Sequence, residues 1–216
     1  MIDEMSPQIK ICGITKEQEV EVLNHEQVEY AGFVLWEKSK RYVTIERAKE
    51  LLQRLDPKIS SVAVMVSPDM ELIRAVEDAG FTRIQIHGSL SEEVKEKAKL
   101  PIWQAVNISN GIDASNCLKE AKEDARINGY VVDAASYGSG KTFAWDSFTD
   151  ADMELFYWLK RKQFVLAGGL NEENVTEGIR RFDPDVVDVS SGVEGSNGKD
   201  AGKIHRFVTC VRKNSR

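Results

Sequence analysis

Residues 164–192 read FVLAGGLNEENVTEGIRRFDPDVVDVSSG and contain one complete unit of strand, turn, helix and strand. The apolar run from Phe164 to Ala167 is closed by two glycines, and a charged segment with helical periodicity begins at Asn171. A second apolar run follows from Val186 to Ser190. Two strands joined through a helix are typical of a parallel sheet, so this stretch predicts an α/β fold.

The same alternation extends along the whole chain. Eight apolar or β-branched runs are each followed by a turn signal and a charged segment with helical periodicity. The runs are Gln8 to Cys12, Tyr30 to Trp36, Ser61 to Val66, Arg83 to His87, Ile102 to Val106, Gly129 to Asp133, Phe164 to Ala167 and Val186 to Ser190. The helical segments begin near Thr15, Thr44, Pro68, Ser91, Asp113, Asp150, Asn171 and Lys199. Thr44, Ser91 and Asn171 are predicted N-caps, and Ser67-Pro68 predicts a cap followed by a first-turn proline.

Eight such units permit two architectures, an open doubly wound sheet and a closed barrel. Eight repeats favour closure, and the chain has no early GxGxxG, the glycine motif of dinucleotide-binding open sheets. The chain has 216 residues, which is enough for one well-buried core and too short for two ordinary domains. We therefore predict a single (β/α)8 TIM barrel domain over residues 1–216.

Composition narrows the function classes. The net charge of -6 disfavours a nucleic-acid or anionic-membrane partner. Three cysteines without a CxxC pair suit a reducing cytosol and indicate neither a disulfide framework nor a zinc site. The polar, acidic first residues do not resemble a signal peptide, and no apolar run approaches the ~20 residues of a membrane span. No metal-binding motif is present, so we predict a cytoplasmic protein without a metal.

Catalytic side chains of such barrels lie at the carboxyl ends of the strands. Cys12 ends the first predicted strand, and Lys10 lies two residues earlier on the same face, where its charge would stabilise a thiolate. Asp133 directly follows an apolar run, and a partly desolvated carboxyl there would suit a general acid. The alternatives are a buried structural thiol at Cys12 and a solvated loop carboxylate at Asp133.

The last two strand ends predict a phosphate site. Small, flexible residues follow both strands, and barrels often bind phosphate at these two loops. They are Gly168 and Gly169 after the seventh strand, and Ser190, Ser191 and Gly192 after the eighth. The alternative is that these glycines only make tight turns.

Other strand ends offer groups that could bind a substrate. Arg41 in a basic loop would clamp a carboxylate if that loop folds over the mouth, although it could simply be solvated. Gln85 and His87 end the fourth strand, where a core or loop histidine is the alternative. The segment from Gly138 to Thr142 resembles the end of a P-loop, but Ala135 replaces the first glycine. We interpret it as a loop that closes over a sugar substrate.

Taken in order, the strand-end motifs span nearly the whole chain and resemble one family. They are KICGIT at 10–15, GFV at 32–34, SKRYV at 39–43, IQIHG at 84–88, VDA at 132–134, GSGKTFAW at 138–145, LAGGLNEENV at 166–175 and VDVSSGVE at 187–194. This pattern is similar to that of the phosphoribosylanthranilate isomerases of tryptophan biosynthesis. Ala144, where the family often has Asp, and Lys40, where Pro is frequent, depart from the pattern without removing a residue that has an assigned role.

The resemblance implies an Amadori rearrangement that needs no cofactor. N-(5-phosphoribosyl)anthranilate would become 1-(2-carboxyphenylamino)-1-deoxyribulose 5-phosphate, with Asp133 as general acid and Cys12 as general base. Arg41 would bind the anthranilate carboxylate, with Gln85 and His87 also at the substrate. The phosphate would lie on the two glycine- and serine-rich loops. The implied partner is this small phosphorylated molecule alone, on a monomer, with a homodimer as the alternative.

The sequence is also compatible with two other functions. A phosphosugar epimerase or related aminoaldose isomerase would more naturally place paired aspartates or metal ligands at opposing strand ends, where this chain has Cys12. A non-catalytic barrel could also bind a phosphorylated ligand and act as a regulatory protein.

Overall fold

The computed structural model describes residues 6–108, 124–134 and 161–213. Within them, eight parallel strands close into a barrel in chain order, with β8 pairing back to β1. The strands are β1 (Gln8–Cys12), β2 (Tyr30–Val34), β3 (Ser60–Val66), β4 (Arg83–His87), β5 (Ile102–Ile108), β6 (Ile127–Ala134), β7 (Gln163–Leu166) and β8 (Val186–Val189). Each lies within two residues of its predicted bounds, so the predicted (β/α)8 barrel is confirmed.

Six helices are present in the described part of the chain. They are α1 (Glu17–Glu26), α2 (Ile45–Leu52), α3 (Met70–Asp78), α4 (Glu92–Lys97), α5 (Val175–Phe182) and α6 (Ala201–Lys213). A 3-10 turn (Ser191–Val193) and a short hairpin of β9 (Glu194–Gly195) and β10 (Gly198–Lys199) lie between β8 and α6. The helices predicted to begin near Asp113 and Asp150 fall outside the described residues.

The predicted caps at Thr44 and Ser91 are confirmed. Thr44 Oγ1 accepts a hydrogen bond from the Arg47 amide at 3.1 Å, and Ser91 Oγ accepts one from the Val94 amide at 3.2 Å. These bonds satisfy donors in the first turn that have no partner within the helix.

The cap predicted at Ser67 is wrong. Asp69 caps α3 instead, by accepting from the Leu72 amide at 2.9 Å. The Ser67 hydroxyl accepts from the Ser89 amide at 2.9 Å, so it ties the loop after β3 to the loop after β4. The cap predicted at Asn171 is also displaced, because Asn171 closes a turn onto the amides of Glu173 and Asn174 while α5 begins at Val175.

Side chains of the strands alternate between two apolar clusters. One face packs against the helices in the larger cluster, which includes Ile11 of β1, Leu23 of α1 and Phe207 of α6. The other face fills the barrel interior with a smaller cluster: Cys12, Tyr30, Val62, Val64, Trp103, Ala105, Val131, Val165, Ala167 and Val186. This second face carries the candidate functional residues at its carboxyl-end layer. No helix in the described ranges is both long and apolar enough to span a membrane.

Candidate active site

Cys12 lies on the inward face of β1, at the carboxyl end of the barrel. Its side chain is buried beside Lys10, whose Nζ donates to Asp188 Oδ2 on β8 at 2.7 Å. Lys10 and Asp188 are register partners across the β1–β8 pairing that closes the barrel. A buried ion pair therefore lies directly below the thiol.

Burial and charge act in opposite directions on this thiol. Burial raises the pKa of Cys12 above its ordinary value, and the negative charge of Asp188 adds to that rise, while the positive charges of Lys10 and Lys199 oppose it. For Lys10, burial works to lower the pKa, but Asp188 and Cys12 hold it above its ordinary value. Lys10 is therefore a cation, as the sequence analysis required for stabilising a thiolate.

Asp133 extends from the inward face of β6 at the same end. It lies two residues beyond Val131, which belongs to the interior cluster that also contains Cys12. Asp133 is half-buried, and the residue before it, Val132, is the last of β6 that pairs with β7: its carbonyl accepts from the Ala167 amide at 2.8 Å. Cys12 and Asp133 therefore project into one space from β1 and β6.

Gln85 and His87 are buried on β4 and face the same interior. Gln85 Nε2 lies 2.9 Å from His87 Nε2. Burial, together with the charge of Lys10, lowers the pKa of His87 to about 4, so the imidazole is neutral at physiological pH. A neutral imidazole can hydrogen-bond to a substrate without adding charge to the site.

Arg41 lies against Gly13 at the carboxyl end of β1 and binds Glu194 after β8. Its stem lies against Gly13, where an added Cβ would lie 2.5 Å from Arg41 Cδ. Its Nε donates to Glu194 Oε1 at 2.5 Å. The loop after β2 is thereby joined to the hairpin after β8.

The two predicted phosphate loops are in contact. Gly168 and Gly169 have φ of +86° and +68°, a left-handed conformation that favours glycine. A Cβ on Gly192 would approach the Leu170 carbonyl oxygen to 2.0 Å, so only glycine allows this approach of the two backbones. Ser190 Oγ donates to the Cys12 carbonyl at 2.9 Å, and Ser191 begins the 3-10 turn. The two loops therefore meet beside Cys12, and we call these five residues the corner.

Three charged residues of this site have no role that the sequence alone predicts. Asp188 is the buried partner of Lys10, and Glu194 is the partner of Arg41. Lys199 is buried, and its Nζ donates to the Ser190 carbonyl at 2.9 Å and contacts Glu194 Oε1 at 3.2 Å. Strand alternation could have placed Asp188 on the inward face of β8, whereas Glu194 and Lys199 follow the strand and carried no such signal.

The sequence also predicts a closing loop and the absence of a metal at this end of the barrel. The P-loop-like segment from Gly138 to Thr142 lies outside the described residues. Among the residues that are described, no group of three or more histidine, cysteine or carboxylate side chains could hold a metal ion.

A family model and the similar proteins of known name all point to the same family. A model of the N-(5'-phosphoribosyl)anthranilate isomerase family matches residues 9–210. A relative from Clostridium acetobutylicum with that name is 36% identical over 211 residues, covering 95% of this chain and 98% of the relative. One from Streptococcus mutans is 35% identical over 208 residues, with the same two coverages.

Solved structures agree with the sequence relatives. The phosphoribosyl anthranilate isomerase of Thermotoga maritima superposes with a TM-score of 0.82 at 29% identity, covering 96% of this chain and 99% of that one. A second isomerase structure contains reduced 1-(o-carboxyphenylamino)-1-deoxyribulose 5-phosphate and superposes with a TM-score of 0.79 at 28% identity, with the same coverages. This chain therefore belongs to the N-(5'-phosphoribosyl)anthranilate isomerase family.

Proposed function

We propose that this protein converts N-(5-phosphoribosyl)anthranilate to 1-(2-carboxyphenylamino)-1-deoxyribulose 5-phosphate, with Asp133 as general acid and Cys12 as general base. The observation that carries the proposal is the projection of Cys12 and Asp133 into one barrel mouth, in a chain of this family. The related structure that holds a reduced form of this product supports the choice of substrate.

The chemistry requires one proton donor and one proton acceptor. Asp133 donates a proton to the ring oxygen of the furanose, which opens and leaves a Schiff base conjugated to the anthranilate ring. The imine acidifies the hydrogen on sugar carbon 2, and the Cys12 thiolate removes it as a proton. The resulting enolamine then tautomerises to the ketone as its hydroxyl proton is replaced by one on carbon 1. Cys12 gives up its proton and Asp133 regains one, so the enzyme is restored and the reaction is a net isomerisation.

The surroundings of Cys12 suit a base of this kind. A buried thiol with no nearby cation would stay protonated, because burial disfavours the thiolate. Lys10 and Lys199 supply that positive charge and limit the rise, but burial and Asp188 still keep the pKa of Cys12 above its ordinary value, so the base acts from the fraction of molecules that hold the thiolate. The Lys10–Asp188 pair also keeps the ammonium group fixed below the sulfur.

The remaining predicted residues bind and orient the substrate. Arg41 receives the ring carboxylate, and the neutral His87, held by Gln85, offers a hydrogen-bonding nitrogen to the opened sugar. The corner formed by Gly168, Gly169, Ser190, Ser191 and Gly192 receives the phosphate through backbone amides and hydroxyl groups.

A fluorescence assay tests this function directly. Substrate is formed in situ from anthranilate and phosphoribosyl pyrophosphate, and its loss of fluorescence is followed with the protein. We expect Cys12→Ser and Asp133→Asn each to lower kcat by about 10²–10⁴-fold, because each removes one proton-transfer group. Both variants should still bind the reduced product analogue.

The matched control is Cys210→Ser, which alters the partly exposed cysteine on α6. It should turn over substrate like the wild type. Full activity in Cys12→Ser or in Asp133→Asn would exclude the assigned roles. A folded wild type that binds the analogue without turnover would instead be a non-catalytic phosphate-binding barrel.

A further inference from the structure

Glu194 forms ion pairs with three positively charged side chains at the edge of the site. Its Oε1 accepts from Arg41 Nε at 2.5 Å and from Lys199 Nζ at 3.2 Å, and its Oε2 accepts from Lys40 Nζ at 2.9 Å. Burial works to raise the pKa of Glu194, but the hydrogen bonds from Arg41 and Lys40 lower it to about 2. The carboxylate is therefore ionised wherever the protein would be assayed.

The three contacts differ in exposure. The side chain of Arg41 is 11% exposed, whereas that of Lys40 is 69% exposed. An exposed ion pair typically contributes little, because water and salt screen it. Glu194 can thus fix two buried side chains, Arg41 and Lys199, the second of which is 1% exposed. Of these two, Arg41 is the residue assigned to the substrate carboxylate.

Arg41 has a donor that the described part of the protein does not use. Its Nη2 is buried and has no hydrogen-bond acceptor there. Buried polar groups without partners are rare in folded proteins, and each one calls for a specific reason. A ligand oxygen arriving at the mouth would satisfy this donor.

The geometry leaves the guanidinium little freedom. Its stem is supported by Gly13, and its Nε is held by Glu194. Because a guanidinium is planar, fixing the stem and Nε also fixes the directions of both terminal nitrogens.

We propose that Glu194 is a positioning residue for substrate selection: it holds Arg41 by Nε and so presents Nη2 to the ring carboxylate of the substrate. The inference rests on the proposed function, since it takes the anthranilate carboxylate as the group that Arg41 receives. Glu194 itself touches no reacting atom. Its effect should therefore appear in recognition of the carboxylate and not in the binding of the phosphate.

Two ligands separate these effects. One is the reduced product analogue with the ring carboxylate, and the other is the same compound made from aniline, which lacks that carboxylate. Dissociation constants for both are measured by titration calorimetry. The ratio of the two constants reports carboxylate recognition alone, because any disturbance of the phosphate loops affects both ligands equally.

In the wild type the carboxylated analogue should bind more tightly than the anilino compound. Glu194→Ala should reduce that preference by about tenfold, as expected for a charge-assisted hydrogen bond that loses its geometry. Glu194→Gln should retain part of the preference, because an amide oxygen still accepts from Nε. Combining Glu194→Ala with Arg41→Met should change the ratio no further than Arg41→Met alone.

The matched control is Lys40→Met, which removes the exposed contact to the same carboxylate. It should leave the ratio at the wild-type value. Circular dichroism and thermal melting confirm that each variant is folded.

An equal loss of affinity for both ligands in Glu194→Ala would overturn the proposal and assign Glu194 a purely structural role. An unchanged ratio would overturn it as well. Failure of the proposed function gives a different result: the wild type itself would then show no carboxylate preference and no turnover.

Discussion

At the scale of single residues, the protonation of Cys12 depends on a small set of fixed charges. Lys10 and Asp188 face it from β1 and β8, and Lys199 faces it from β10. Lys199 is 1% exposed at its side chain and is held by Ser190 and Glu194. It is thus a second buried cation at the thiol, and its contribution is separable from that of Lys10.

Replacing Lys199 should change the pH dependence of the reaction. The Cys12 thiolate is the active form of the base, so kcat/KM rises as pH passes upward through the pKa of Cys12. Lys199 lowers that pKa, so Lys199→Met should raise it and move the ascending limb to higher pH. Activity at neutral pH should fall several-fold and recover under alkaline conditions. The measurement is kcat/KM from pH 6 to pH 11, because the pKa of Cys12 already lies above its ordinary value in the wild type.

Lys203→Met is the matched control for this change. Lys203 Nζ also bonds the hairpin, at the Glu194 carbonyl at 2.7 Å, but the residue lies on α6. Its pH profile should overlie that of the wild type. A loss of activity in Lys199→Met that is equal at every pH would show that Lys199 acts only by holding the loop.

Some residues of the candidate site could be predicted from the sequence, and others could not. Strand ends and alternation placed Cys12, Lys10 and Asp133 correctly, because both are local properties of the chain. Alternation does not identify partners across the closed barrel, so the Lys10–Asp188 pair, 178 residues apart, was not predicted. Glu194 and Lys199 lie after the last strand, where no periodicity applies. Their roles became visible only from their contacts with Arg41 and Ser190.

Among the elements, the loops after β7 and β8 pack directly against each other. The absent side chain of Gly192 lets the 3-10 turn pack directly on the backbone of Leu170 and Asn171. The predicted phosphate corner therefore depends on a contact between two loops as well as on the groups within each.

Gly192→Ala should separate these loops. Its Cβ would lie 2.0 Å from the Leu170 carbonyl oxygen, and backbone cannot yield as a flexible side chain can. We expect KM for the substrate to rise by about tenfold or more while the protein remains folded, because phosphate hydrogen bonds lose alignment. Affinity for inorganic phosphate, measured by competition, should fall in parallel.

Gly195→Ala provides the control within the same segment. A Cβ there meets its nearest atom at 3.5 Å, which is ordinary contact. Its KM should stay near the wild-type value. If Gly192→Ala also left KM unchanged, the phosphate would have to bind elsewhere.

The helix N-caps show which features of an element can be predicted from its own sequence and which cannot. Thr44 and Ser91 were predicted as caps from sequence, since a cap needs only the amides of its own first turn. Ser67 misled the prediction because its hydroxyl is used by Ser89 of the next loop. A tertiary hydrogen bond of this kind leaves no trace in the sequence around the serine.

At the scale of the whole molecule, the interior of the barrel combines stability and function. Eight alternating units were enough to predict closure, which brings strands distant in sequence around one interior. The same interior must hold the polar groups of the site away from water. A buried group that is neutral in the folded protein destabilises the fold when acid protonates it, so stability at low pH depends on the residues of the site.

His87 makes this connection measurable. Its pKa is about 4 in the folded protein and about 6.5 in the unfolded chain, so the unfolded chain binds more protons between these values. Stability is therefore fully present above pH 6.5 and falls as pH drops toward 4. The shift corresponds to about 3 kcal/mol of unfolding free energy lost between pH 7 and 4.

Urea unfolding at pH 7, 6, 5 and 4 tests the His87 linkage. Other carboxylates also titrate in this range, so the informative quantity is the difference between the wild type and His87→Asn. The wild type should lose about 3 kcal/mol more than the variant across the range, because the variant has no imidazole to protonate. His25→Asn, at a side chain 85% exposed, should lose as much as the wild type. Parallel curves for the wild type and His87→Asn would mean that the folded barrel accepts a charged His87, and a neutral imidazole could then not be assigned to the substrate site.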